Sequence, residues 1–173
     1  MAMDYEPVFS AQSSYPPVQA ERANPRYARA MLQNMAARDS ETSCAAIFFY
    51  ASIILGSGHA DFAEDLRHIA AADLHHLDLF GQLAFQLGAE PRLWMPGRGR
   101  PIWWWPGYCR YSRDPRRLLR WAAAAKKHAL QQYQRQCQWI RDPHITALLQ
   151  RVSEDEQNHL ETLGQMLETF EVY

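Results

Sequence analysis

The sequence predicts an all-α protein, a four-helix bundle whose two helix pairs are joined by a long aromatic crossover. Three observations predict it. Four stretches carry apolar residues at helical spacing. Three of the stretches open on a capping residue followed by proline, at Asn24-Pro25, Asp114-Pro115 and Asp142-Pro143. The two pairs are separated by a segment too rich in proline to be regular helix.

Residues 1–23 are rich in Pro, Ser and Gln without periodicity and are expected to form a disordered or surface-wrapping arm. Helix one starts at the Asn24 cap and Pro25, and Arg26 to Leu55 keeps helical spacing until Gly56-Ser57-Gly58 stops it. Asp61 is expected to cap helix two, which runs to Leu87. Its apolar stripe is Phe62, Leu66, Ile69, Leu74, Leu77, Phe80 and Leu83, and Gly88 ends it. Ala89 to Arg113 holds Pro91, Pro96, Pro101 and Pro106 with Trp94, Trp103, Trp104 and Trp105, and reads as a crossover packed along the bundle. Asp114-Pro115 restarts a helix that runs through Ala122 to Trp139, and Asp142-Pro143 restarts the fourth, which reaches about Glu171. Short connections within each pair and a long one between them describe a ferritin-like bundle, expected over residues 24–173; no strand pattern competes.

The composition agrees. A chain of 173 residues, 47% hydrophobic, suits one domain, and at this size about 70% of the unfolded surface is buried without a metal or disulfide staple. Any metal would therefore serve function. Cys44, Cys109 and Cys137 form no CxxC pair and no even framework, which points to a reducing cytoplasm. Residues 1–20 contain Asp4, Glu6, Pro7, Pro16 and Pro17 where a secretory signal would need a basic start and an apolar stretch. The most apolar run, Cys44 to Gly56, is short of the roughly 20 residues that span a bilayer. With 18 Lys+Arg against 19 Asp+Glu the charge is -1, so neither nucleic acid nor a membrane is an expected partner. Arg92 to Arg120 gathers eight arginines against Asp114 and reads as a solvated basic face.

In such bundles dinuclear metal sites take a Glu from each of two helices and Glu-x-x-His from each of the other two, because residues three apart share a helical face. Helix four contains Glu156-Gln-Asn-His159, and helix two contains Asp73-Leu-His-His76, each inside an apolar stripe. Either motif alone is what a surface helix contains by chance, with histidine hydrogen-bonded in the core and the acid solvated. Together, on the second and fourth helices, they point to a metal site. Burying two carboxylates and two imidazoles is costly without a cation. Glu41, the only acidic residue between Asp39 and the end of helix one, with Phe48 seven residues later on the same face, fits the first carboxylate of such a site. The fourth is absent: seven residues before Tyr133 stands Lys126, followed by Lys127. A lysine there is a neutral ligand if burial deprotonates it, or swings out, or substitutes its charge for a metal ion; a register off by one residue would put it on the surface. His68 and His75 read as surface residues, and His128 and His144 have no partner that spacing identifies. Tyr133 is either a core residue or faces the site, donating a hydrogen bond or holding a radical. Cys44 and Cys137 read as inert.

The stretches Ile69 to Phe80 (IAAADLHHLDLF), Leu87 to Arg92 (LGAEPR), Asn24 to Arg29 (NPRYAR), Asp142 to Leu149 (DPHITALL) and Asp155 to His159 (DEQNH) resemble ferritin-like proteins of the manganese-catalase type, including small bacterial members related to spore-coat catalase-like proteins. The resemblance spans Asn24 to about Phe170. It implies a dinuclear manganese or iron site and hydrogen peroxide disproportionation. Glu41 would be a terminal ligand, Asp73 the bridge, His76 and His159 imidazole ligands, and Glu156 a ligand or a proton-handling carboxylate behind them. Glu156, Lys126 and Tyr133 are then the candidates for catalytic roles, hydrogen peroxide or oxygen the expected small-molecule oxidant, and a homo-oligomer the expected assembly. Asp73 is one methylene shorter than the usual Glu, which asks for a closer helix or different denticity. Lys126 keeps open a mononuclear site and a metal-free bundle with a structural, coat or interaction role. Metal-free small subunits of ribonucleotide reductase, on a related fold, use a lysine in this way.

Overall fold

The computed structural model describes residues 10–171. Residues 1–9 of the expected arm and the last two residues of the expected bundle lie outside them. Five α-helices follow in order: α1 (Pro25–Ala36), α2 (Glu41–Leu55), α3 (Ala60–Gln86), α4 (Pro115–Trp139) and α5 (Pro143–Glu171). The expected first helix is thus interrupted. At Ala37 the backbone becomes extended, and Ser40 restarts the chain as the N-cap of α2, its hydroxyl accepting from the Ser43 amide. Thr42 Oγ1 returns to the Met35 carbonyl at 2.7 Å. Arg-Asp-Ser-Glu-Thr-Ser is a run whose short polar side chains compete for backbone groups, which favours a cap over a continuous turn. Glu41 consequently occupies the first turn of a new helix, where the macrodipole favours a carboxylate.

The other boundaries follow their caps, with one exception. Asp114 Oδ1 accepts from Arg116 N at 3.1 Å, Asp142 Oδ1 from His144 N at 3.0 Å, and Asn24 Oδ1 from Arg26 N at 3.0 Å. Asp61, in contrast, lies inside the first turn of α3, and His59 takes the N-cap position without a side-chain bond. Gly88 has φ +94°, the left-handed conformation that lets the chain leave α3 and turn back toward Asn24, whose amide donates to Leu87 O at 3.1 Å.

The connection between the pairs is not wholly irregular. Trp94–Pro96 (β1) and Pro101–Trp103 (β2) pair as an antiparallel hairpin, Trp94 opposite Trp103, followed by a 3₁₀ turn at Pro106–Tyr108. Its prolines sit at the strand ends, so strands of three residues form where alternation is too short to be read. Gly107 lies under the Trp105 ring so closely that any Cβ would collide with it. Trp104 turns inward and donates from Nε1 to Ser43 Oγ at 2.9 Å.

Two apolar clusters fill the bundle. One joins α1 to the C-terminal half of α3, with Tyr133 of α4, Ile140 just after it and Ile145 to Val152 of α5. The other joins α2 to Leu66 and Ile69 of α3, Leu118 to Ala125 of α4, and Leu163 and Met166 of α5. On α3, α4 and α5 the buried residues between those two sets are polar. Leu74, placed on the stripe by the sequence, is 57% exposed, because Asp73 and His76 take the inward face at that level.

Candidate metal centre

Six ionisable side chains meet at this level: Glu41 of α2, Asp73 and His76 of α3, Lys126 of α4, and Glu156 and His159 of α5. Each is 0 or 1% exposed. The helical register explains the meeting. Asp73/His76 and Glu156/His159 are three apart, so each pair shares a face, and Lys126 is seven before Tyr133, two turns along α4 on the same side.

Lys126 is not on the surface. Its Nζ donates to Asp73 Oδ1 in a short bond and to Glu156 Oε1 at 2.7 Å, and lies 3.9 Å from Glu41 Oε2. It also stands over the Phe48 ring, 5.6 Å from the centroid. Tyr133 faces the same cluster and donates to Glu41 Oε1. His76 points Nδ1 inward, 3.3 Å from Glu156 Oε1 and 3.6 Å from Glu41 Oε1. His159 Nδ1 lies 3.5 Å from Glu156 Oε1 and 3.9 Å from Asp73 Oδ1. Every residue singled out from the sequence is therefore in one cluster. His68, His75 and His128 are exposed, and His144 is away from it at the start of α5.

Three residues that the spacing did not signal complete the arrangement. His76 Nε2 lies 3.1 Å from Asp155 Oδ2. That carboxylate also accepts from Tyr15 OH, from Arg151 Nη1 at 2.6 Å and from the Ala11 amide at 2.6 Å. Arg151 in turn donates to the carbonyls of Ser13 (2.6 Å) and Ala11 (2.9 Å), and its guanidinium lies 4.1 Å from the Tyr15 ring centre. Asp155 beside Glu156, and Arg151 four residues before Asp155, were available as an i,i+4 pair. Tyr15 was not: it comes from a segment with no periodicity.

The charges settle in a definite way. Burial lifts the Asp73 carboxyl well above its usual range; Lys126 opposes this, but Glu41 and Glu156 reinforce it. Burial acts on Glu156 too, yet there Lys126 wins, helped by the nearby imidazoles of His159 and His76, and its carboxyl is held well below the usual range. The asymmetry has a plain cause, since Glu156 is approached by two imidazoles in addition to the ammonium. Burial works against a charged Lys126, but Asp73, Glu156 and Glu41 together hold its ammonium well above the ordinary value. Burial likewise opposes a charged His76, and Glu41, Asp155 and Glu156 overcome it and raise the imidazole. His159 is lowered by burial and by Lys126, so it stays neutral. Asp155 is lowered despite burial by bonds from His76, Tyr15, Ala11 and Arg151.

These groups can hold a cation. Glu41, Asp73, His76 and Glu156 each offer a ligand atom within 4.8 Å of the others. Among the described residues, Glu41 Oε2, Asp73 Oδ2, His76 Nδ1 and Glu156 Oε2 are buried without a hydrogen-bond partner, atoms that an ion or a buried water would satisfy. Oxygen and imidazole donors suit manganese and iron alike. In neutral His76, with Nε2–H assigned to the bond with Asp155, Nδ1 presents its lone pair inward, an arrangement common to metal-bound histidines. With the three carboxylates ionised and His76 neutral, the protonation state metal ligands require, three carboxylates and one ammonium leave two negative charges, the amount one divalent ion neutralises.

No protein-family model matches the chain, and no curated protein matches it. Solved structures do. A manganese catalase from Anabaena, KatB, superposes with a TM-score of 0.81 at 21% identity, covering 94% of this chain and 80% of that one. A second KatB structure, from Anabaena PCC7120, gives 0.81 at 22% over the same shares. Rhodobacter capsulatus bacterioferritin, described with a metal-free dinuclear site and haem iron, gives 0.71 at 16%, covering 87% and 88%. No helix among the described residues is long and apolar enough to cross a membrane. The chain has the ferritin-like four-helix fold, with a buried carboxylate and histidine cluster able to bind a metal at its centre.

Proposed function

We propose that the protein binds one divalent manganese or iron ion through Glu41, Asp73, His76 and Glu156 and acts on hydrogen peroxide or oxygen. The observation that carries this is Lys126: its ammonium lies against Asp73 and Glu156 where a second cation would need their oxygens, and like charges at such distances repel strongly in a buried site. When bound, the ion supplies one-electron redox and Lewis-acid chemistry. The side chains do the rest. Lys126 holds a fixed positive charge and keeps Asp73 and Glu156 oriented. Glu156, whose Oε1 accepts from Lys126 and lies within reach of His76 and His159, stays ionised and holds those groups around the ion. Asp155 fixes the His76 tautomer, and Tyr133 fixes Glu41.

Elemental analysis after expression with added manganese and iron, beside a peroxide-consumption assay, tests the reading. One ion per chain and peroxide consumption that follows metal content support it; two ions per chain, or metal without turnover, overturn it. The same Lys126 contacts favour a second reading, a metal-free bundle held by an internal ion pair and serving a structural, coat or interaction role. It predicts no bound metal in wild type and metal uptake only in Lys126→Glu.

A further inference from the structure

A half-open cavity of about 280 Å³ lies over the seam between α2 and α4, apart from the buried cluster. Its floor is Ile47 of α2 and Ala125 of α4, both buried. Tyr108 and Trp121 wall it, and Arg38 and Arg110 stand exposed at its rim. Each guanidinium is placed over a ring, Arg38 Cζ 5.9 Å from the Tyr108 centroid and Arg110 Cζ 5.8 Å from that of Trp121. Trp121 carries a further guanidinium, that of Arg117, at 4.5 Å. The acid in the lining, Asp39, is engaged with His128 at 3.1 Å. Neither Arg38 nor Arg110 has a carboxylate partner among the described residues.

Stacking occupies the face of a guanidinium and leaves its N–H edge for a planar anion, which arginine binds in bidentate fashion. The remaining lining is aromatic and aliphatic, and the volume sits at the small end for organic ligands. We propose that this cavity binds a single-ring aryl carboxylate, with the ring on Ile47 and Ala125 between Tyr108 and Trp121, and the carboxylate between Arg38 and Arg110. The site shares helices with the metal centre but no side chain, so it stands independently of whether metal binds.

Calorimetric titration of the full chain with benzoate, with benzamide and inorganic phosphate as controls, tests this in metal-loaded and metal-free protein. Saturable one-to-one benzoate binding is expected in both. The double substitution Arg38→Gln, Arg110→Gln should weaken it at least about tenfold, since each loses a charged hydrogen bond. Ala124→Trp, which fills the cavity from its exposed edge, should abolish it. Benzamide and phosphate should each bind at least about tenfold more weakly, one lacking the charge and the other the ring. No saturation with benzoate, undiminished binding in the filled variant, or phosphate binding as tightly as benzoate overturns the proposal. Circular dichroism of each variant separates lost binding from lost folding.

Discussion

The two sides of the buried cluster both set carboxylates against basic groups and are closed in opposite ways. On the α4 side, Asp73 and Glu156 are capped by Lys126, an ammonium carried by the chain itself. On the other side, His76 is anchored outward through Asp155 to Tyr15 and Arg151 while its Nδ1 points inward with no hydrogen-bond partner among the described residues. One side already has its cation. The other turns an imidazole nitrogen toward carboxylate oxygens of Glu41, Asp73 and Glu156 that have no hydrogen-bond partner among the described residues. A pair of buried acids can be satisfied by a covalent charge or by an exchangeable one, and here a single site uses the first on one side and is equipped for the second on the other.

The largest effect should come from removing the fixed charge. Lys126→Met leaves Asp73 and Glu156 buried without their partner and is expected to cost about 3–5 kcal/mol in metal-free protein, measured by urea unfolding. Added manganese should recover more of that loss in the variant than it adds to wild type. Equal stabilisation of both would mean that Lys126 does not compete with metal.

Loosening the other side should cost less stability than Lys126→Met and weaken metal binding. Asp155→Asn keeps the shape but not the charge that orients His76, and about a 10–100-fold loss of manganese affinity is expected by competition with a chelating dye. Unchanged affinity would remove His76 from the ligand set.

A pH scan of metal-free protein separates the two sides further. Asp155 and Glu156 have lowered values in the folded chain, so their contribution is present above about pH 4 and is lost as pH falls through the folded values. His76 is raised, so its contribution is complete below about pH 6.5 and is lost as pH rises through its folded value. Thermal stability should therefore peak between those limits. Asp155→Asn should flatten the acid limb, and a wild-type profile flat from pH 4 to 9 would contradict the assignment.

The smallest effect is expected at the outer anchor. Tyr15→Phe deletes one hydrogen bond to a charged carboxylate, worth about 1.5–3 kcal/mol at most and less where water replaces it. Its unfolding midpoint should drop slightly, with manganese affinity falling less than in Asp155→Asn. A larger loss than in Asp155→Asn would make Tyr15 the principal anchor of His76.

Much of this was legible in the residues. The spacing of Asp73/His76 and Glu156/His159 placed four side chains on inward faces, and the two-turn offset from Tyr133 placed Lys126 with them, because an α-helix converts sequence separation directly into direction. The break at Ala37 to Ser40 was less visible. An apolar pattern continues across it, and the competition between helix and cap is decided by a few hydrogen bonds of Thr42 and Ser43. Tyr15 and its bond to Asp155 could not be read, since that contact joins positions 140 apart and Tyr15 lies in a stretch without periodicity.

The sequence by itself determined the bundle, the level at which polar residues enter its core, and the substitution of a lysine for a carboxylate there. These are properties of helical period, capping and residue chemistry, all local along the chain. Only the tertiary structure decided that Lys126 spends its charge on Asp73 and Glu156, that His76 is held by Asp155, and that an N-terminal tyrosine closes that side. Those outcomes depend on distances between elements remote in sequence, where a few tenths of a nanometre separate an ion pair from a pair of solvated charges.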